Sequence, residues 1–424
     1  MHILKGYTKQ EISWMMYDWA NSAHSVIIVT LLPIFFDTVA GYTADSVSSM
    51  STWGDATSIA MLLVALAAPF LGVFGDIRGM RKKLFSFFML LGVAACAGMA
   101  FTPGMDFTSG PVAAGKVASL ILVLYIVSVI GFDASAIYYD AFLTDVTTED
   151  RMDKVSTMGY GLGYIGGSTI PLLIFLIMNL VGVPMLTCLA FVFGLTAVWW
   201  LAFSLPLLKN CEQTSGKPYE KGDVARSIKG VGTTIKEIIA NKPMLIYILS
   251  YFFYIDGVHT VISMATTYGT NLGLDSTGMM LALLLVQILG LPFCLLYIKC
   301  SEKFGARTMV GFGICVYMFI CIFAFFMNSL WQFWVLAVVV GMFQGGVQAL
   351  SRSHFAKIIP QEKSGEYFGL FDICGKGASF LGTMIVSVGS QLTGSANVGV
   401  GSIAILFVVG FVLFGISTRT EETK

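Results

Sequence analysis

Apolar runs close to the ~20 residues an α-helix needs to cross a ~30 Å hydrocarbon core alternate with polar breaks along the whole chain. They predict spans near 14–36, 52–74, 84–103, 116–141, 156–180, 184–206, 244–268, 277–298, 309–328, 331–355, 367–391 and 397–417, twelve crossings in all. The breaks differ in charge. Lys5 and Lys9, Arg78 to Lys83, Arg151 and Lys154, the 207–243 segment, Lys299 to Arg307, Arg352 to Lys363 and the C-terminal tail hold every Lys and Arg except Lys116 and Lys376. These segments are alternate ones, and positive residues stay on the cytoplasmic side, so both termini are expected inside. The first span is too long for a signal peptide and lacks a small-residue cleavage pattern, so it is expected to remain in the mature chain.

The one long polar interruption, Lys209 to Lys242, carries a helical-looking stretch from Val224 to Ile239. It predicts two six-helix bundles, 1–206 and 244–424, joined by a cytoplasmic linker, 207–243. Signals recur in the two halves: Gly79 and Arg81 follow the second span as Gly305 and Arg307 follow the eighth, and Glu149 and Glu362 precede Gly-rich spans. Parallel repeats of this kind are how two six-span halves of a carrier are built. The fold class is thus an all-α membrane protein of twelve helices in two pseudo-symmetric bundles.

Composition sharpens this picture: 56% hydrophobic and 12% charged residues, with a mean hydropathy of +0.80, exclude an ordinary soluble enzyme. A net charge of zero argues against a nucleic-acid partner, because no surplus positive charge is available for phosphates. The cysteines show neither metal-like spacing nor a disulfide framework. No cofactor or metal is expected, and no phosphate-binding loop points to ATP. The GYGLGYIGG run at Gly159 to Gly167 follows no strand, so it reads as close helix packing rather than a dinucleotide fingerprint. Trp14, Tyr17, Trp19 and Trp53 lie near span ends, where interfacial anchoring is expected.

Ionisable side chains deep in a membrane need a partner, an aqueous cavity or a function. Asp256 lies twelve residues beyond Met244, roughly 18 Å deep by the helical rise; Asp133 reaches a similar depth, and Lys376 and His24 lie somewhat shallower. Asp18, Asn21, Ser22 and Ser25 form one helical stripe flanked by His24, and Asp256, His259, Thr260 and Ser263 form another. Span ten offers Gln344, Gln348, Ser351 and Arg352; span eleven offers Asp372 and Lys376 at the spacing of an intrahelical ion pair. Acids and a lysine among amides and imidazoles suit a small zwitterion. Asp256, His259, Asp133, Asp18 and Asp372 are the candidates for proton coupling.

The stretch GVFGDIRGMRKK, Gly72 to Lys83, resembles the signature that major facilitator carriers place between their second and third spans. YDWANSA at Tyr17, YIDGVHT at Tyr254 and QGGVQALSRSHFAKIIP at Gln344 resemble the fungal vacuolar amino-acid effluxer family and its bacterial relatives, in register over the whole chain. The resemblance implies that spans one, four, seven and ten face a central cavity. His24, Asn21, Asp133, Asp256, His259, Gln344 and Gln348, with Lys376, are then the expected substrate ligands. It also implies a conformational latch of Asp76, Arg78 and Arg81, with Asp140 as the partner of Arg81. The expected function is alternating-access transport of an amino acid or related zwitterion, in the export direction, by a monomer in a prokaryotic plasma membrane, with proton coupling. Alternatives are a carrier for another small solute (organic anion, nucleoside, sugar, lipid) and a solute sensor on a carrier scaffold.

Overall fold

A computed structural model describes residues 4–43, 46–216, 218 and 223–422; the side chains of 29, 46–51, 223–230, 276, 277, 376–380 and 420–422 lie outside the description. Helices α1 (Lys9–Ala40), α2 (Ser46–Gly75), α3 (Met80–Met99), α4 (Pro111–Ala141), α5 (Glu149–Leu180) and α6 (Met185–Asn210) pack on one another. After α7 (Asp223–Ala240), helices α8 (Lys242–Asn271), α9 (Ser276–Phe304), α10 (Ala306–Phe325), α11 (Leu330–Ile358), α12 (Ser364–Thr393) and α13 (Ala396–Arg419) form the second set. Among the described residues, eleven helices are long and apolar enough to cross a membrane. The twelfth expected span coincides with α12, part of which lies outside the described side chains. The chain is therefore a multi-pass integral membrane protein of the expected fold class.

Helix ends explain where the apolar pattern misplaces boundaries. The first helix begins at Lys9 rather than 14 because Thr8 caps it: Thr8 Oγ1 accepts from the Glu11 amide at 3.2 Å, and Glu11 Oε2 accepts from the Thr8 amide at 2.7 Å. This reciprocal pair satisfies donors that a helix start otherwise leaves bare. Gly79 (φ +80°) and Gly305 (φ +83°) precede α3 and α10. A positive φ at both places is the backbone counterpart of the repeat seen in the sequence, and glycine adopts it without strain.

The glycine run in α5 lies against α1. A Cβ on Gly163 would meet Ser22 Oγ at 2.6 Å, one on Gly167 would meet Ser22 Cβ at 2.7 Å, and one on Gly166 would overlap the Trp19 indole. Close packing is what these glycines provide. The sequence pattern missed that Gly163–Thr169 winds as a π-helix, a local widening that shifts the register of everything after it. The interfacial role expected of Trp14 and Tyr17 is not found. Both are fully buried, Trp14 stacked on Tyr139 with centroids 4.4 Å apart and its indole N–H donating to the Tyr139 carbonyl at 2.8 Å.

Candidate functional site

The polar contacts between the halves cluster at the end that bears the linker. At the first junction, α2 and α12 cross almost backbone to backbone, since a Cβ on Gly72 would overlap the Gly365 carbonyl and one on Gly369 that of Ala68. This brings Asp76, just past α2, to the N-terminus of α12. Its two oxygens accept from the Gly365 and Glu366 amides at 2.7 and 2.8 Å, a carboxylate at the positive end of a helix. Arg81, fully buried, pairs with Asp76 at 2.9 Å and with Asp145, and donates to Ser364 Oγ at 2.7 Å. Burial pushes the Asp76 carboxyl up to about 7, outweighing the pull of Arg81 and the two amides.

Two expected members of this junction fall elsewhere. Arg78 is exposed. Asp140, expected beside Arg81, pairs instead with Arg352 at 3.0 Å. It is the last residue but one of α4 and faces α11. The Asp145 carboxylate fills the place beside Arg81 and also accepts from the Thr214 and Ser215 amides at 3.0 and 2.9 Å. Gln213 completes the strap, donating to the Gly75 carbonyl and accepting from the Gly79 amide, both at 2.9 Å.

The second junction is built on Arg352, which the sequence singles out only as part of a stripe. Carried on α11, it enters the first bundle with 4% of its surface exposed. Its guanidinium meets Asp140, Asp18 at 3.3 Å, Ser156 Oγ at 2.9 Å and the Ser156 carbonyl at 3.1 Å. It also faces the rings of Trp14 at 4.7 Å, Tyr160 at 4.5 Å and Tyr139 at 5.4 Å. A planar, weakly hydrated cation can stack on rings while its edge binds acids; a lysine cannot do both. Beside it, Asp153 on α5 accepts from Ser353 at 2.6 Å and pairs with Lys357 at 2.7 Å. The available signal was an excess of acids near the inner ends of spans one, four and five facing a basic end of span ten.

Deeper along the same seam, Tyr164 of α5 wedges beside Gly290 and Gly345, where a Cβ would stand 2.5 and 2.7 Å from its ring. Its side chain lies near that of Gln344. Gln348 donates to the Gln344 carbonyl at 3.2 Å. Asp18 and Gln344 are thus brought to the surface between the halves, with Gln348 one turn further along α11. Asn21 lies beside Tyr17 and is buried.

Two of the remaining candidates, His24 and Asp256, are held inside their own bundles. His24 was expected to line the central cavity, yet its ring is inside the first bundle, 98% buried by its 2% exposure. It stacks on Phe132 with centroids 4.8 Å apart, stands 5.2 Å from Trp200 and shares a 3.2 Å hydrogen bond with Ser128. Asp256 is fully buried at the seam of α8 with α12, both oxygens 3.0 Å from the Gly382 amide and one 3.2 Å from Thr260 Oγ1. Asp133 is buried on α4, while His259 and Asp372 are half-buried on α8 and α12. The Lys376 side chain, and with it the Asp372–Lys376 pair, lies outside the described residues.

Solved structures of similar fold include carriers. The proton:xylose symporter XylE bound to 6-bromo-6-deoxy-D-glucose superposes with a TM-score of 0.70 at 14% identity, over 95% of this chain and 93% of that one. A bacterial homologue of the iron transporter ferroportin in its outward-facing state gives 0.70 at 17% identity, over 97% and 99%. By sequence, the uncharacterized MFS-type transporter YxiO of Bacillus subtilis is 40% identical over the whole of this chain and 97% of its own length. Autophagy-related protein 22-2 of Aspergillus niger is 24% identical over 60% of this chain and 49% of its own. The family described as vacuole effluxer Atg22 like matches residues 7–423, and the chain belongs to this family of major facilitator transporters.

Proposed function

We propose that the protein carries a small polar solute, an amino acid or related zwitterion, by alternating access, the two halves rocking about the seam that holds Gln344, Gln348 and Tyr164. The observation that carries this reading is the insertion of Arg352 into the first half. A buried cation held by acids and rings of the opposite half is a contact that must be broken for that end to open. With the basic loops on the cytoplasmic side, the described conformation is closed inside, and the Asp76 junction is a second clasp on the same face. Neutralising Asp18 or Asp140 by a proton removes half of what holds Arg352, so proton binding there favours inner opening and supplies a route to coupling. The description of the family as effluxers supports export.

Counterflow in proteoliposomes loaded with single L-amino acids tests the substrate class. Accumulation of at least one labelled amino acid, dependent on the unlabelled one inside and lost in Arg352→Met, is the expected result. Counterflow with a sugar, nucleoside or organic anion and with no zwitterion overturns the class while leaving the carrier standing.

A further inference from the structure

We infer that the second half holds a separate site for an uncharged, elongated, mainly apolar molecule with a hydroxyl or amide at each end. The site lies within the second half and meets the seam only at Gln344, which lines its deep part. Every residue lining it belongs to α8 to α13 or their connections.

The site has two adjoining parts that share wall residues. A deep cavity of ≈ 100 Å³ lies among α8, α9, α10 and α11, walled by Val261, Ala265, Val286, Ile320, Ala337 and Val340. A rim cleft of ≈ 310 Å³ lies at the outer ends of α8 and α12 and carries Asn271, Ser387, Ser390 and Gln391. Met264, Tyr268 and Val400 line both. From Asn271 to Val261 the axis runs about 15 Å at helical rise, so the space is elongated. The Tyr268 hydroxyl donates to the Ala324 carbonyl at 2.6 Å, which leaves its ring as an apolar wall.

Chemistry selects the occupant. No Asp, Glu, Lys, Arg or His lines either part among the described residues, so a charged ligand would lose its hydration with nothing to replace it. Wholly apolar ligands are disfavoured for the opposite reason. Gln287 lines the deep part, and its Oε1 is buried without a hydrogen-bond partner, a group whose desolvation is costly until something donates to it. A hydroxyl reaching the deep end satisfies it, and the amides and hydroxyls of the rim take the other polar end.

Binding of 1,8-octanediol, 1-octanol and octanoate to the purified full chain in nanodiscs, followed by thermal shift at pH 7.5, tests this. The diol is expected to bind about three- to tenfold more tightly than the mono-alcohol, the gain of one hydrogen bond, and octanoate at least tenfold more weakly than the diol. Gln287→Leu should erase the difference between diol and mono-alcohol while leaving the mono-alcohol's affinity within about twofold. Ala337→Phe, which fills the deep part, should abolish binding of both. Equal affinities for all three ligands, or a diol advantage that survives Gln287→Leu, overturns the proposal. Should Ala337→Phe fail to fold, a diazirine-bearing diol on the native protein decides. Labels on α8, α9 and α11 of the deep wall support the site, and labels confined to α1 to α6 or to the lipid-facing surface refute it.

Discussion

Arg352 concentrates the chemistry of the closed end in one side chain. Removing one partner of a buried, hydrogen-bonded ion pair costs about 3–5 kcal/mol because the other is left uncompensated. Arg352→Met therefore should shift the protein toward its inner-open form, raising maleimide labelling of a single cysteine placed at Ser353 at least tenfold in inside-out vesicles. Arg352→Lys keeps the charge but loses the planar stacking on Trp14 and Tyr160, and should fall between the two. Asp76 adds a pH dependence. Its carboxyl is raised in the closed junction relative to water, so closure takes up a proton: the stabilisation is fully present below the ordinary carboxylate range and is lost as pH rises through about 7. This runs against the Arg352 clasp, which a proton on Asp18 or Asp140 loosens, so in the same labelling assay Asp76 by itself should contribute a rise in labelling between pH 5 and 8 in the native chain. That slope should flatten in Asp76→Asn. At this scale the sequence was legible in kind but not in direction. Periodicity placed His24 and Asp18 on neighbouring faces of α1, yet only packing shows that one ring turns into its own bundle against Phe132 while the other side chain faces Arg352 across the seam.

Elements were the most legible scale, because a span is specified by twenty or so consecutive apolar residues and needs no knowledge of its neighbours. Caps such as Thr8 and the π-helical turn at Gly163–Thr169 depend on single residues and on backbone hydrogen bonding, which hydropathy does not register. Glycine-rich α5 was read as a packing element, and the contacts with Trp19 and Ser22 give that reading its geometry. Gly166→Ala should therefore act by overpacking, lowering stability by about 1–3 kcal/mol, visible as a fall in the melting temperature of the detergent-solubilised protein. An equivalent change at Gly115, where a Cβ meets nothing within 4 Å, should leave it unchanged. Gly382 marks a seam inside the second half: a Cβ there would overlap Thr260 Oγ1 and stand 2.8 Å from Asp256. This explains why the most suspect acid of the sequence is spoken for by its own bundle.

For the molecule as a whole, alternating access requires that the linker-bearing end part while the other closes. A disulfide between cysteines replacing Asp153 and Lys357, which now pair across the halves, should hold that end shut and abolish counterflow, with activity returning on reduction. Transport that continues through the cross-linked species would remove the rocking mechanism. The strap that runs from Gln213 to Ser215 sets a further bound on the motion. It is tied to the first half through Asp145 and Gly75, whereas α7 is tied to the second through Glu237 and Lys363, 2.6 Å apart. Between Gly216 and Asp223 the chain has only six residues, which fully extended reach about 25 Å. As long as Glu237 holds Lys363 and Asp145 holds the strap, those six residues are a leash, and the inner mouth can open no further than they reach.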